Sequence, residues 1–221
     1  CDKKMKRNSI VIIDYGLGNL YNLKKAFQKA GGDAVISDKK SDILNADKIV
    51  LPGVGAFSAG MEGLRNRDLI DTIKKFMMSG RYILGICLGM QMLMTESEED
   101  GIHRGLDVIK GNVRRFDTPA EKGLFKIPHY GWSVVSLPDY ANNSWQGTIM
   151  DGVRDNSFFY FVHSYFVVPD DNSNVIGITH YGHNTFSSVI KKDNITTCQF
   201  HPELSGETGI HLIRNFIEKR D

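Results

Sequence analysis

Tyr82-Ile83-Leu84-Gly85-Ile86-Cys87-Leu88-Gly89-Met90-Gln91-Met92-Leu93-Met94 changes its pattern in the middle. Residues 82–86 form a short apolar run suited to a buried strand, whereas Met90 to Met94 suits a helix, so a turn falls on Gly85-Ile86-Cys87-Leu88-Gly89. Small residues around the central one permit a sharp, strained turn that lifts its side chain above the sheet edge, the geometry of a nucleophile elbow. The unpaired N–H groups at the start of the helix favour a thiolate, which is the reactive form of cysteine, and the Leu88 amide is placed to donate to a developing oxyanion. On this stretch alone, Cys87 reads equally well as a small buried core residue, the commonest fate of a free cysteine.

The same alternation extends toward the N-terminus. Ile10 to Ile13 reads as a strand, Gly16 and Gly18 as a tight turn, and Leu20, Leu23, Phe27 and Ala30 as one face of a helix stopped at Gly31-Gly32. Short runs follow at Ala34 to Ile36 and Ile49 to Leu51, the latter ending in Pro52-Gly53-Val54-Gly55. Asp68 is the expected N-cap of a helix with Leu69, Ile73, Phe76 and Met77 on its buried face. Beyond Gly111 the runs at Ser133 to Leu137, Ser157 to Val168 and Val175 to Tyr181 are rich in β-branched and aromatic residues and separated by turn formers, which predicts antiparallel strands. Ile210, Ile213 and Ile217 predict a closing helix over residues 209–219. The expected fold is α/β: an open, mostly parallel sheet flanked by helices, with an antiparallel extension. Residues 1–9, which contain Met5, are read as an extension outside it, and 10–221 as a single domain.

Composition narrows the function. The 221 residues carry 27 Lys and Arg against 26 Asp and Glu, so nothing favours nucleic acid or an anionic membrane as partner, and a small neutral substrate fits better. The polar start CDKKMKRNS lacks the apolar segment of a secretory signal, and no apolar run is long enough to span a bilayer, which predicts a cytoplasmic protein. Cys1, Cys87 and Cys198 have neither disulfide nor zinc spacing. Gly16-Leu17-Gly18-Asn19 lacks the full glycine fingerprint of a dinucleotide loop and the lysine of a P-loop.

The base for Cys87 is found near the C-terminus. Asn194 to Phe200 reads as a strand that runs into His201-Pro202-Glu203, and in an extended segment residues two apart project to the same side. Glu203 can then orient His201 while His201 draws the proton from Cys87, because a nucleophile–base pair needs a third group to set tautomer and direction. Cys198, inside the strand, is read as core, and so is the aromatic run Phe158 to Phe161.

With these residues in place the chain resembles the class I, triad glutamine amidotransferases. The elbow Gly-Ile-Cys-Leu-Gly-Met-Gln and Gln199-Phe200-His201-Pro202-Glu203 carry the class. Asp14-Tyr15-Gly16-Leu17-Gly18-Asn19, Pro52-Gly53-Val54-Gly55 and Pro128-His129-Tyr130-Gly131-Trp132 narrow the likeness to glutaminase subunits that serve an imidazole glycerol phosphate cyclase in histidine biosynthesis. The resemblance implies that Cys87, His201 and Glu203 form a triad that hydrolyses L-glutamine through a thioester. It implies an oxyanion hole from the amides of Leu88 and of Gly53 or Val54. Substrate contacts are implied from Gly55, Gln91, Glu99 and the backbone of His163-Ser164-Tyr165. Trp132 and Asn19 are implied at the interface through which ammonia passes, with no metal or organic cofactor and with a barrel-shaped cyclase as heterodimer partner. Two positions depart from the pattern: Ser133 stands where the family has Asn, and Leu204 where it has Lys. Both lie where a partner is felt, so a synthase that amidinates sugars for surface polysaccharides is an alternative partner, and a non-catalytic assembly subunit an alternative role. A cysteine peptidase on a related elbow is disfavoured by Gln91 and the Pro52 to Gly55 loop.

Overall fold

The structure, a computed structural model, describes residues 9–117, 125–139 and 144–219. Residues 1–8 of the expected extension lie outside these. Ser9, its last residue, belongs to the fold: its amide donates to Asp47 Oδ2 at 2.7 Å and its carbonyl accepts from the amides of Asp47 and Lys48.

The chain opens with β1 (Ile10–Ile13), α1 (Leu20–Lys29), β2 (Ala34–Ser37), α2 (Lys40–Asn45), β3 (Lys48–Leu51), α3 (Phe57–Asn66), α4 (Ile70–Met78), β4 (Ile83–Ile86) and α5 (Leu88–Met92). It continues through β5 (Met94–Ser97), β6 (His103–Arg104), β7 (Ile109–Arg115), β8 (His129–Val135), β9 (Ser157–His163), β10 (Tyr165–Pro169), β11 (Val175–Tyr181), β12 (Asn184–Lys192) and β13 (Ile195–Cys198), and ends in α6 (Gly206–Glu218). The main sheet has the order β11-β12-β13-β4-β3-β1-β2. Strands β2, β1, β3, β4 and β13 pair in parallel, β12 is added antiparallel to β13, and β11 antiparallel to β12. A smaller sheet β10-β7-β5-β6 and the pair β8-β9 lie beside it. The expected parallel sheet with an antiparallel extension is therefore present.

Period-two alternation divides the core. In β1, Ile10 and Ile12 join the cluster that holds Phe27 of α1 and Leu212, Ile213 and Phe216 of α6. Val11 and Ile13 join the opposite cluster, with Leu64 of α3 and Ile73 and Phe76 of α4. Every residue of β1, β3, β4 and β13 is buried, as expected of central parallel strands covered on both faces. At the end of α6, the buried Lys48 amine donates to the carbonyls of Phe216, Ile217 and Lys219 at 2.6–2.8 Å. It satisfies acceptors that the helix terminus leaves open.

Several local expectations are corrected. Asp68 is not an N-cap: it sits at φ 54° in the left-handed region, ion-paired with Lys40, and turns the chain from α3 into α4, whose cap is Leu69. The helix after the elbow stops at Met92, because Met94 is drawn into β5 beside Ile109. The run Ser157 to Val168 breaks at Ser164 into β9 and β10, which pair with different partners. In that run Phe159 and Phe161 are core, whereas Phe158 is exposed. Among the described residues no helix is long and apolar enough to cross a membrane.

Candidate active site

The ends of two neighbouring strands meet at Cys87. The pairing register sets Cys198 of β13 against Ile86 of β4, and the Cys87 amide then donates to the Cys198 carbonyl at 2.8 Å. Cys87 itself has φ 51° and ψ −108°, a strained conformation for a residue with a side chain, held by β4 on one side and α5 on the other. Gly89 makes the turn possible, because a Cβ there would stand 1.8 Å from the Leu51 carbonyl oxygen of β3. The strained elbow read from residues 85–89 is the one observed, and Cys87 keeps 5% of its surface open.

His201 leaves β13 with its amide bonded to the Tyr160 carbonyl at 2.9 Å, and Ser205 Oγ donates to the His201 carbonyl at 2.6 Å. Its Nδ1 lies 2.8 Å from Glu203 Oε1, both side chains being almost fully buried. The contact is not made across an extended segment, as the sequence predicts. Pro202–Leu204 forms a 3₁₀ turn that folds Glu203 back onto the ring. Burial disfavours the charged imidazolium, but the charge and hydrogen-bonding influence of Cys87, joined by Glu203, outweigh it and raise the His201 pKa to about 10. The site thus favours the protonated imidazolium of His201 beside the sulphur. Burial pushes the Cys198 thiol well up, in keeping with its place in the core.

The loop after β3 packs on the elbow. Gly53 has no room for a side chain, since a Cβ would meet Tyr15 Oη at 2.2 Å and Leu88 Cβ at 2.8 Å. The buried Tyr15 hydroxyl donates to the Pro52 carbonyl at 2.5 Å, which ties the loop to the segment after β1. Burial and the Cys87 charge both raise the Tyr15 pKa, so the hydroxyl stays protonated and remains a donor. A cavity of about 280 Å³ opens beside Cys87, and Val54, Gly55, Leu88, Gln91, Glu99, His163, Ser164 and Tyr165 are on its wall. Gly53 lies behind this wall against Leu88. Glu99 Oε2 accepts from the Phe57 amide at the start of α3 at 2.6 Å, where the helix end favours a carboxylate.

Trp132 and Asn19 lie away from the cavity wall. Trp132 is 53% exposed on β8 and stands edge-on to Tyr160. Asn19 caps α1, its Oδ1 accepting from the Asn22 amide at 3.3 Å. Leu204 is exposed at the end of the 3₁₀ turn that carries Glu203. Ser133 is turned inward, its hydroxyl 2.7 Å from His129 Nε2.

Three residues given no role in the sequence reading of the site, His129, Gln199 and Tyr15, pack against it, and His163, read there through its backbone, joins them through its ring. His129 is stacked between Phe161 and Tyr181 and meets His163 across the β8–β9 pair. His163 Nδ1 bonds the Tyr165 carbonyl at 2.8 Å, and Gln91 Nε2 donates to that same carbonyl at 2.9 Å. Gln199, fully buried, accepts from Gln91 and lies against the sulphur of Cys87. Tyr15 holds the loop. Only the Gln-Phe-His-Pro-Glu and Pro-His-Tyr-Gly-Trp motifs hinted that Gln199 and His129 matter. Among the described residues no group of His, Cys, Asp or Glu is arranged to hold a metal ion.

The glutamine amidotransferase class-I family matches residues 11–219. A protein of Chlorobaculum tepidum named imidazole glycerol phosphate synthase subunit HisH is 43% identical over 209 residues, covering 95% of this chain and 99% of its own length. The protein of that name from Syntrophotalea carbinolica is 44% identical over 209 residues, covering 94% and 98%. Among solved structures, one described as a glutamine amidotransferase superposes with a TM-score of 0.69 at 18% identity, over 94% of this chain and 97% of the other. PurLQS from Thermotoga maritima gives 0.64 at 17% identity, over 94% and 96%. These structural likenesses concern the fold.

Proposed function

This chain belongs to the glutamine amidotransferase class-I family, and on that premise we propose that it is the glutaminase subunit of an imidazole glycerol phosphate synthase, acting in histidine biosynthesis. The observation that carries the reading is the strained Cys87 at the wall of a small cavity, backed by the buried His201–Glu203 pair.

Cys87 Sγ attacks the side-chain amide carbon of L-glutamine. The tetrahedral oxyanion is received by the Leu88 amide and an amide of Gly53 or Val54. His201 gives its proton to the departing nitrogen, which leaves as ammonia with the C–N bond broken and a thioester on Cys87. Water, deprotonated by the now neutral His201, cleaves the thioester to glutamate and the free thiol. Glu203 holds the ring so that Nε2 faces the reaction. Both amide hydrogens of Gln91 are engaged, with Tyr165 and Gln199, which leaves its oxygen to accept from the α-ammonium of glutamine together with Glu99. Gly55 and the backbone of His163 to Tyr165 complete the pocket, and residues 10–221 act as one domain.

The ammonia must reach its acceptor before water protonates it, so the subunit works as a heterodimer with a cyclase in the cytoplasm. Trp132 and Asn19 mark the face toward that partner. The test is glutamate release from glutamine by this chain mixed with the cyclase and its nucleotide ligand, with Cys87→Ala as control. Strong stimulation that vanishes in the variant is expected. A folded chain that stays silent with the cyclase, yet turns over with a sugar-amidinating synthase, would overturn the assignment to histidine biosynthesis.

A further inference from the structure

Gln199 is fully buried one residue beyond β13 and two before His201, and its backbone amide is tied to the Ser188 carbonyl at 2.9 Å. The orientation of its side chain follows from a chain of hydrogen bonds that begins at a group of fixed polarity. The Tyr165 carbonyl can only accept, so the Gln91 side-chain atom 2.9 Å from it is the amide nitrogen. That nitrogen also stands 3.2 Å from Gln199, so the Gln199 atom there is its oxygen. The amide nitrogen of Gln199 is thereby directed at Cys87 Sγ, 3.6 Å away. Flipping Gln199 would set two NH₂ groups against each other and a carbonyl oxygen against a sulphur that carries negative charge.

We propose that Gln199 is a catalytic residue, a buried amide donor that holds the Cys87 thiolate at the angle of attack and lowers the cost of forming it. This rests on the reading of Cys87 as the nucleophile and extends it, since His201 then shares the sulphur with a second, uncharged donor. The division of labour is chemically useful. His201 must release its proton to the leaving ammonia, whereas an amide keeps its hydrogens throughout the cycle and can receive the thiolate again when the thioester is cleaved. Gln91 links this donor to the pocket wall at Tyr165, so the residue assigned to the substrate's ammonium also sets the amide that faces the nucleophile.

The test reads the sulphur directly, with neither glutamine nor cyclase present. The rate of Cys87 alkylation by iodoacetamide is followed against pH in the full chain by mass spectrometry of the Cys87 peptide. The other groups acting on this sulphur are the Val162 carbonyl, to which the thiol donates at 3.9 Å, His201, with Glu203 behind it, and the un-ionised Tyr15 and Cys198, and all are unchanged between variants. Gln199→Met keeps the volume and removes the donor, and its profile should move to higher pH by about one unit, a roughly tenfold slower reaction near neutrality. Gln199→Glu keeps the acceptor for Gln91 but sets an oxygen against the sulphur, and should move the profile further. In the unaltered chain, the side-chain amide resonance of Gln199 should follow the Cys87 titration. A profile unchanged in a folded variant, or a Gln199 resonance indifferent to the titration, overturns the proposal. Because glutamate release is measured separately, this failure would leave the glutaminase reading standing, and a silent glutaminase with a shifted profile would do the reverse.

Discussion

Nδ1 of His129 lies 3.1 Å from Nε2 of His163, and the bonds at the two outer ends fix the tautomer of both rings. The Tyr165 carbonyl requires a proton on His163 Nδ1, so His163 Nε2 accepts, His129 Nδ1 donates, and His129 Nε2 takes the hydrogen of Ser133. A further proton on His163 would place two donors face to face, and one on His129 would turn the Ser133 hydroxyl from donor to acceptor. Burial lowers the His163 pKa to about 3, helped by the charge of His129, and burial lowers that of His129 to about 4.

Acid should therefore loosen this wall of the site first. Both histidines take protons near their ordinary pKa of 6.5 when unfolded but resist to about 4 and 3 when folded. Their contribution is complete above 6.5 and is lost as pH falls from there toward 4. The expected slope is about 1.4 kcal/mol per pH unit for each. Urea titrations between pH 7 and 4.5 should show it, and His129→Phe should remove about half. An unchanged slope would mean that the rings are not buried neutral.

Glu203→Gln tests the opposite sign. His201 has a folded pKa raised to about 10, so its interactions stabilise fully below 6.5 and are lost as pH rises toward 10. Removing the Glu203 charge should flatten that alkaline decline in part, and Cys87→Ser should flatten it as well. Glutamate release by Glu203→Gln should drop by roughly a hundredfold or more, with little change in KM, because the ring loses its orientation.

Tyr15→Phe removes the bond to the Pro52 carbonyl and leaves that buried oxygen unpaired, at a cost of about 1–3 kcal/mol. If the loop supplies an oxyanion donor, kcat should fall about tenfold or more while the affinity for glutamine holds. A variant with lower stability and normal kcat would detach the loop from the chemistry.

Gly89→Ala puts a methyl group on the Leu51 carbonyl, 1.8 Å from its oxygen, where backbone rather than a side chain would have to move. A loss of at least about 3 kcal/mol in denaturant titration is expected. A fully stable, active Gly89→Ala would refute the elbow geometry.

The elbow and the His201–Glu203 pair proposed as a triad were legible because their signals are local: a strand that turns into a helix at Cys87, and a histidine and glutamate two residues apart. Even so, the reason expected for the His201–Glu203 contact, an extended chain, differs from the turn that makes it. The His129–His163 bond was not legible, because it depends on the register of β8 against β9. Nothing along the chain fixes which residues face each other across two strands joined by a long connection. Gln199 is hidden for the same reason, since its side-chain partners, Cys87 and Gln91, come from the elbow and α5. Helix α3 went unread because Gly60 and Gly63 interrupt its apolar face, and Asp68 misled because a helix cap and a left-handed turn favour the same side chain.

Strand β13 slots in beside β4, so the proposed nucleophile and its proposed base follow neighbours in the sheet that lie more than half the chain apart in sequence. A ribosome makes Cys87 long before His201. Until β13 pairs with β4, the nascent chain carries the Cys87 thiol without the histidine proposed as its base. The order of synthesis thus leaves the proposed pair incomplete until the strand next to β4 has been made.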